Sequence, residues 1–191
     1  MNTLQQTLNT GIDLRKNLLE DQHFQNMFYA CVDQIESAFK ADRKLLLCGN
    51  GGSAGDAQHI AAELSGRFIL DRAPLFAEAL HVNSSYLTAV ANDYGYDEVY
   101  ARMTEAMGRK GDVLIGLSTS GNSQNVLKAL QKAKSIGMIT VAFLGEKKGE
   151  IGAIVDHSIQ IPSANTARIQ ELHITIGHVL CEELERRIFA Q

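Results

Sequence analysis

Two short, nearly continuous apolar runs restrict the fold of this chain more than any other feature. They are VLIGL (113–117) and MITVAF (138–143). Apolar runs of this length are typical of strands buried on both faces of a parallel sheet. A strand with one solvent-exposed face instead alternates between apolar and polar residues. Three further strand candidates span 44–48, 75–81 and 155–161.

Helical patterns separate these strand candidates. They lie near 54–66, 84–93, 97–107, 123–135 and 166–187. Because parallel strands are joined by right-handed crossovers, this alternation predicts a three-layer, doubly wound α/β fold with a five-stranded parallel sheet. Ligands bind such sheets at the carboxyl ends of the strands. The loops after Cys48 and Leu117 are therefore predicted to form the ligand site. No linker or internal repeat divides the chain, so we predict one domain over 1–191.

Two helices are predicted ahead of the first strand, as a hairpin over 1–42 that precedes the α/β sandwich of 43–191. The second helix has a clear apolar stripe with helical spacing, formed by Phe24, Phe28, Cys31, Ile35 and Phe39. The first has a weaker stripe, formed by Leu4, Leu8, Ile12 and Leu18. The hairpin must bury its stripe either on its own domain or on another copy of the chain.

Composition excludes several classes of protein. The 191 residues are 45% hydrophobic and 21% charged, and the net charge of -4 gives no general attraction to nucleic acid or membrane. No apolar run approaches a membrane span, and the first residues lack the pattern of a signal peptide. The three cysteines are scattered and form no CxxC pair, which indicates neither a disulfide framework nor a cysteine zinc site. We therefore expect a cytoplasmic protein.

The segment CGNGGSAGDAQHIAAELSGR (48–67) carries most of the functional information. Its glycine cluster follows a strand and opens a helix, so unhindered backbone N–H groups and a helix N-terminus can hold an anion. The same helix carries His59 and Glu63 one turn apart on one face, next to that anion site. An anion site beside an acid/base pair suits a phosphorylated substrate.

The glycine cluster has two other interpretations. Gly49-x-Gly51-x-x-Ala54 formally fits the dinucleotide-binding fingerprint. Such a site would also need an acidic residue at the end of the next strand, and Asp71 instead falls ahead of that strand, before Pro74. The cluster could also be only a tight structural turn.

A second polar loop follows the strand at 113–117 and opens a helix. Five of its six residues can form side-chain hydrogen bonds: Ser118, Thr119, Ser120, Asn122 and Ser123. A helix cap needs only one serine or threonine. The surplus of hydroxyl groups around Gly121, together with backbone N–H groups, favours a phosphate site.

Two polar side chains interrupt the apolar stripe of the last helix. The predicted stripe consists of Ile169, Leu172, Ile176, Val179 and Leu180, and the interleaved polar residues are Gln170 and His178. Polar groups there need hydrogen bonds or a ligand. Without other evidence, the simpler interpretation is that Gln170 and His178 are half-buried and hydrogen-bonded within the fold. The His59–Glu63 pair has a similar simple interpretation, because a His–Glu pair at i,i+4 is more often a solvated contact than a metal site.

Four segments together resemble the phosphoheptose isomerase family of enzymes with the sugar isomerase (SIS) fold. They are the segment 48–67, VANDYGYDEVY (90–100), GDVLIGLSTSGNSQNV (111–126) and ARIQELHITIGH (167–178). The resemblance implies a flavodoxin-like sheet, a homotetramer, one Zn²⁺ per subunit and conversion of sedoheptulose 7-phosphate to D-glycero-D-manno-heptose 7-phosphate. That reaction begins ADP-heptose synthesis for lipopolysaccharide or related glycans. Members also carry an acidic residue where this chain has Ala167.

The resemblance also implies roles for individual residues. Glu63 and His178 correspond to the family's acid/base pair. The implied zinc ligands are His59, Glu63, Gln170 and His178. The implied substrate-binding residues are Asn50, Gly51, Gly52, Ser53, Glu63, Asn92, Asp93, Ser118, Thr119, Ser120, Ser123 and Gln170.

The spacing of two implied ligands predicts an active site shared between subunits. Gln170 and His178 are eight residues apart, about 12 Å along a helix. Both side chains lean toward the helix N-terminus, so their directions do not shorten this separation. One straight helix would therefore bring both to one ion only with difficulty, in agreement with the family's tetramer.

Two non-enzymatic alternatives remain open at this point. One relative with this fold is a tetrameric adaptor that binds the replication initiator DnaA and shares the glycine loop. It lacks counterparts of Glu63 and His178, which this chain has. A sugar-phosphate sensor without turnover is the other alternative.

Overall fold

The computed structural model describes residues 1–189 and contains a five-stranded, entirely parallel sheet. The strand order is β2-β1-β3-β4-β5. The strands are β1 (Leu45–Gly49), β2 (Ala77–Ala79), β3 (Val113–Ser118), β4 (Ile139–Leu144) and β5 (His157–Gln160). This arrangement confirms the predicted doubly wound, flavodoxin-like α/β fold.

Eight α-helices flank or precede the sheet in the described residues. They are α1 (Thr3–Glu20), α2 (Gln22–Lys40), α3 (Gly52–Ser65), α4 (Ser84–Tyr94), α5 (Val99–Met107), α6 (Gln124–Ser135), α7 (Gly149–Ile154) and α8 (Thr166–Phe189). A 3-10 turn, Tyr96–Glu98, joins α4 to α5. The sequence did not predict α7, because six residues are too few to show a helical period.

Alternate residues of the central strands face two separate apolar cores. Leu45 and Leu47 of β1 pack with α1, α2, α3 and α8, whereas Leu46 and Cys48 pack with α4, α5, α6 and α7. All four side chains are fully buried. Burial on both faces explains why the central strands are continuous apolar runs.

Strand β2 is shorter than predicted. The sequence predicted a strand over 75–81, but only Ala77–Ala79 pair with β1. β2 lies at the sheet edge and has β1 as its single neighbour. The preceding Pro74, which has no N–H to donate to a ladder, lies outside the strand.

The first helix buries only part of its apolar surface within the chain. Leu14 and Leu18 are buried, but Leu4, Leu8 and Ile12 are 66%, 58% and 49% exposed. The predicted α2 stripe, in contrast, packs against the core. Within residues 1–189, no helix is both long and apolar enough to cross a membrane.

Candidate active site

The loops after β1 and β3 adjoin at the carboxyl edge of the sheet. Gly49 pairs with Leu117 at the ends of these neighbouring strands. Beyond them, Asn50 and Asn125 exchange two amide hydrogen bonds of 2.9 and 2.8 Å. This is the point where the strand order reverses, and ligands bind doubly wound folds at that crevice.

Helix α3 begins at the glycine loop without a side-chain cap. Gly51 precedes the helix with a φ of +55°, a conformation that favours glycine. A Cβ at Gly52 would lie 2.7 Å from Oε1 of Gln170, and the Gln170 amide donates to Ser53 Oγ over 3.3 Å. The structure therefore brings four predicted substrate-binding residues together: Gly51, Gly52, Ser53 and Gln170.

The serine loop does not act as an ordinary helix cap. Ser123 occupies the N-cap position of α6, but its side chain caps no backbone N–H. Its Oγ instead lies 3.0 Å from Ser118 Oγ. The adjoining residues Thr119 and Ser120 line a cavity of about 340 Å³ together with Lys147. Residues of the serine loop thus border a space beyond the end of β3.

Three of the four predicted metal ligands converge within one chain. His59 Nε2 lies 2.9 Å from Glu63 Oε1 and 3.4 Å from His178 Nε2. The ligand atoms of all three residues lie within 4.8 Å of one another. His59 and Glu63 come from consecutive turns of α3, and His178 comes from α8.

The chemistry of this cluster fits a zinc ion. Tetrahedral zinc with Zn–N bonds of about 2.0–2.1 Å places two ligand nitrogens about 3.3–3.4 Å apart, close to the 3.4 Å between the two Nε2 atoms. An imidazole nitrogen carries at most one hydrogen, so His59 Nε2 can donate to Glu63 or to His178 but not to both. A cation would satisfy all three lone pairs together.

Close packing of α3 against α8 builds this cluster. A Cβ at Gly177 would lie 2.5 Å from Ile60 Cδ1, which indicates that the two helices touch directly there. Along the same pair of helices, Gln170 meets Ser53 while His178 meets His59. Within one chain Gln170 therefore lies about two helical turns from the cluster, and its role as a fourth ligand stays a prediction.

Comparisons with known proteins identify the family. The SIS domain family model matches residues 12–145. Phosphoheptose isomerase of Clostridium acetobutylicum is 45% identical over 190 residues, covering 100% of this chain and 97% of the relative. The chain belongs to the phosphoheptose isomerase family of SIS-domain proteins.

Solved structures of that family have the same fold. Phosphoheptose isomerase of Neisseria gonorrhoeae is 38% identical with a TM-score of 0.87, and covers 96% of this chain and 99% of its own. The enzyme of Francisella tularensis is 30% identical with a TM-score of 0.91, and covers 97% of this chain and 100% of its own.

Two residues implied by the family resemblance are not joined to the rest of the site. Asn92 and Asp93 lie exposed near the end of α4, where Asn92 donates to Asp93 over 2.9 Å. Within residues 1–189, this pair forms no hydrogen bond with any of the other predicted site residues. Their role in substrate binding stays a prediction.

The structure adds residues near the site that the sequence did not reveal. Asp56, one turn before His59, has a buried Oδ2 with no partner in the described residues, and burial raises its pKa to about 6. Phe68 stacks on the His178 ring.

Val179, predicted to belong to the buried stripe, is 47% exposed, because the buried face of α8 runs through Ile176 and Leu180 and leaves Val179 at its border.

Proposed function

We propose that this chain is an aldose–ketose isomerase that interconverts sedoheptulose 7-phosphate and D-glycero-D-manno-heptose 7-phosphate. The observation that carries the proposal is the juxtaposition of Glu63, His59 and His178 within 4.8 Å, in a chain similar over its full length to phosphoheptose isomerases. The adaptor alternative finds no support, since Glu63 and His178 are both present and converge.

Glu63 and His178 supply the proton transfers of this reaction. Glu63 takes the proton from C1 of the ketose as the C2 carbonyl oxygen gains one, which gives an enediol. Return of a proton to C2, with loss of the proton from the C1 hydroxyl, gives the aldehyde. Glu63 is suited to the carbon-bound proton, and the His178 imidazole to the proton on the adjacent oxygen.

His59, Glu63 and His178 would hold the family's zinc ion, and Gln170 of another copy would complete the set. A bound zinc ion would polarise the substrate carbonyl. Coordination would also lower the basicity of Glu63, so we infer that tight binding through Glu63 belongs to a resting or regulated state. Turnover that rises with zinc occupancy while Glu63→Gln stays active would contradict this inference.

The serine and glycine loops would bind the two ends of the substrate. Ser118, Thr119, Ser120 and Ser123 offer hydroxyl donors to the phosphate at the start of α6. Asn50 and the uncapped start of α3 lie between that loop and Glu63. A phosphate at the serine loop would place the sugar carbons along the glycine loop, with Asn92 and Asp93 as further contacts. Because Glu63 lies about 16 Å beyond Gly52 along α3, the acid/base pair that reaches those carbons would come from another copy.

The unpaired apolar surface supports a homotetramer with shared active sites. Leu4, Leu8 and Ile12 of α1 lie exposed and are not covered by any other part of residues 1–189, as expected of a surface that contacts another molecule. A separate groove of about 480 Å³ lies between the end of α1, the start of α2 and α8, and Val179 lines it one residue from His178. A second copy seated there would lie beside the site. The three buried, free cysteines favour the reducing cytoplasm.

Incubation with sedoheptulose 7-phosphate tests the activity directly. The aldose product is followed by NMR, with and without a chelator, in the wild type and in Glu63→Gln. We expect the wild type to form aldose phosphate and Glu63→Gln to lose at least about a hundredfold in turnover. Absence of aldose under both conditions would overturn the proposal.

A further inference from the structure

A buried ion pair anchors the segment that follows α3. The carboxylate of Glu185, on α8, is almost fully buried and accepts a 2.8 Å hydrogen bond from Arg72 Nε. It also accepts from three successive backbone N–H groups, those of Phe68, Ile69 and Leu70, over 2.9–3.0 Å. Burial alone would raise the pKa of Glu185, but these hydrogen bonds offset it and hold that pKa below its ordinary value.

The other side of the Arg72 guanidinium caps the end of α3. Its Nη2 donates to the Glu63 carbonyl over 2.9 Å, and its Nη1 donates to the Leu64 carbonyl over 2.7 Å. The last carbonyls of a helix have no partner within the helix. Arg72 therefore fixes the helix turn that carries the Glu63 side chain.

The anchored segment places an aromatic ring against His178. The Phe68 and His178 rings are stacked, with centroids 5.7 Å apart and planes inclined by 21°. Ligand histidines normally have their orientation fixed by a hydrogen bond from the second ring nitrogen. In residues 1–189, His178 Nδ1 has no such bond, and the Phe68 ring is stacked on the imidazole.

We propose that Phe68, held by the Arg72–Glu185 pair, is a positioning residue that fixes the plane of the His178 imidazole relative to Glu63 and His59. One buried ion pair then governs both members of the acid/base pair, Glu63 through its backbone and His178 through its ring face. The effect on turnover rests on the proposed function, but the effect on metal binding does not.

Conservative substitutions at Phe68 separate ring orientation from packing. Phe68→Leu keeps an apolar side chain but removes the ring, whereas Phe68→Tyr keeps the ring. Phe39→Leu is the matched control, because Phe39 is also half-buried against the same apolar core, while the rings found against His178 in residues 1–189 are those of His59 and Phe68. Thermal melting of each variant checks that it is folded, and Phe68→Met replaces Phe68→Leu if that variant does not fold.

The first measurement is the affinity of the purified protein for Co²⁺, read from its visible absorption. We expect Phe68→Leu to weaken Co²⁺ binding by about 10- to 100-fold, as loss of an orienting partner of a ligand histidine does. Phe68→Tyr and Phe39→Leu should stay within about twofold of the wild type. The second measurement is steady-state turnover, in which Phe68→Leu should lower kcat while the KM set by the phosphate loop is unchanged.

Two results would overturn the proposal. One is that Phe68→Leu binds Co²⁺ as tightly as Phe39→Leu. The other is that Phe68→Tyr loses affinity as much as Phe68→Leu does, because the ring would then not be responsible. If the wild type turns over no heptose phosphate, the proposed function fails, and the Co²⁺ affinities alone decide whether Phe68 positions His178.

Discussion

The contact of Gly177 with Ile60 sets the distance between the helices that carry the site. Ile60 is fully buried in α3, and a Cβ at Gly177 would lie 2.5 Å from its Cδ1 and 2.7 Å from its Cγ1. Carbon atoms in contact normally lie about 3.5–4.0 Å apart. Gly177→Ala therefore requires a shift of about 1 Å, and a β-branched side chain in a packed core has few rotamers with which to absorb it.

The expected cost follows from two opposing effects. Alanine is favoured over glycine within a helix by about 1 kcal/mol, while overpacking a core costs about 1–3 kcal/mol. Gly177→Ala should thus lower the free energy of unfolding by up to about 2 kcal/mol. Because His178 is the next residue, a shift of this size also separates it from His59, and a misplacement of 1 Å can cost about a hundredfold in rate.

Denaturant unfolding, Co²⁺ affinity and isomerase turnover measure these effects. Gly55→Ala is the matched control, since Gly55 lies in α3 with nothing within 4 Å of an added Cβ. It should stabilise the protein by up to about 1 kcal/mol. Ile60→Ala removes both clashing atoms, so the double variant should recover about 0.5–3 kcal/mol relative to the sum of the single changes.

A Gly177→Ala variant that is stabilised as much as Gly55→Ala and keeps wild-type Co²⁺ affinity would refute this prediction. Independence of Gly177→Ala from Ile60→Ala in the double variant would refute it equally. Either result would mean that the packing of α3 on α8 does not set the spacing of His59 and His178.

Three further predictions concern pH, phosphate binding and assembly. Burial lowers the pKa of His173 to about 4, so the unfolded chain takes up its proton first as the pH falls below about 6.5. The free energy of unfolding of the wild type should then fall by up to about 3 kcal/mol between pH 6.5 and pH 4. Urea unfolding at several pH values measures this fall, which should be smaller in His173→Gln than in His23→Gln, the exposed control. Ser123→Ala, which removes the hydroxyl partner of Ser118, should raise the KM for heptose phosphate about tenfold at unchanged kcat. A KM equal to that of Ser135→Ala would contradict a phosphate role. Leu8→Glu should produce smaller species in light scattering and reduce turnover, whereas Gln6→Glu on the same helix should not; an unchanged mass for Leu8→Glu would place the interface elsewhere.

The sequence predicted the sheet and the loops because both depend on local patterns. The strands at 113–117 and 138–143 lie within one residue of β3 and β4. Because the glycine loop directly follows β1 and the serine loop directly follows β3, the sequence also predicts that both lie at the carboxyl edge of the sheet. In contrast, α1 follows its predicted stripe only in part, since periodicity does not tell whether Leu4 or Leu8 faces its own chain or another.

The buried polar residues of α8 were harder to predict because they occupy core positions. His173 and Glu185 are both buried: His173 falls within the spacing of Ile169, Ile176 and Leu180 along α8, and Glu185 lies four residues after the buried Cys181. The spacing indicates that Glu185 is buried and needs a hydrogen-bonding partner, although Glu185 lies in the charged run CEELERR (181–187). Nothing in the sequence identifies Arg72 as that partner, since the two residues are 113 positions apart.

The packing of α3 on α8 links the chemistry of the site to its assembly. These helices hold Gln170 at Ser53 and His178 at His59, and a straight helix keeps the two α8 residues about 12 Å apart. If all four predicted ligands meet at one ion, at least one must therefore come from another copy. The exposed Val179 lies beside His178 and lines the same groove as Ile176 and Leu19. A copy seated in that groove would cover apolar surface and approach the cluster in the same step, so Leu19→Glu should lose Co²⁺ affinity together with its assembly.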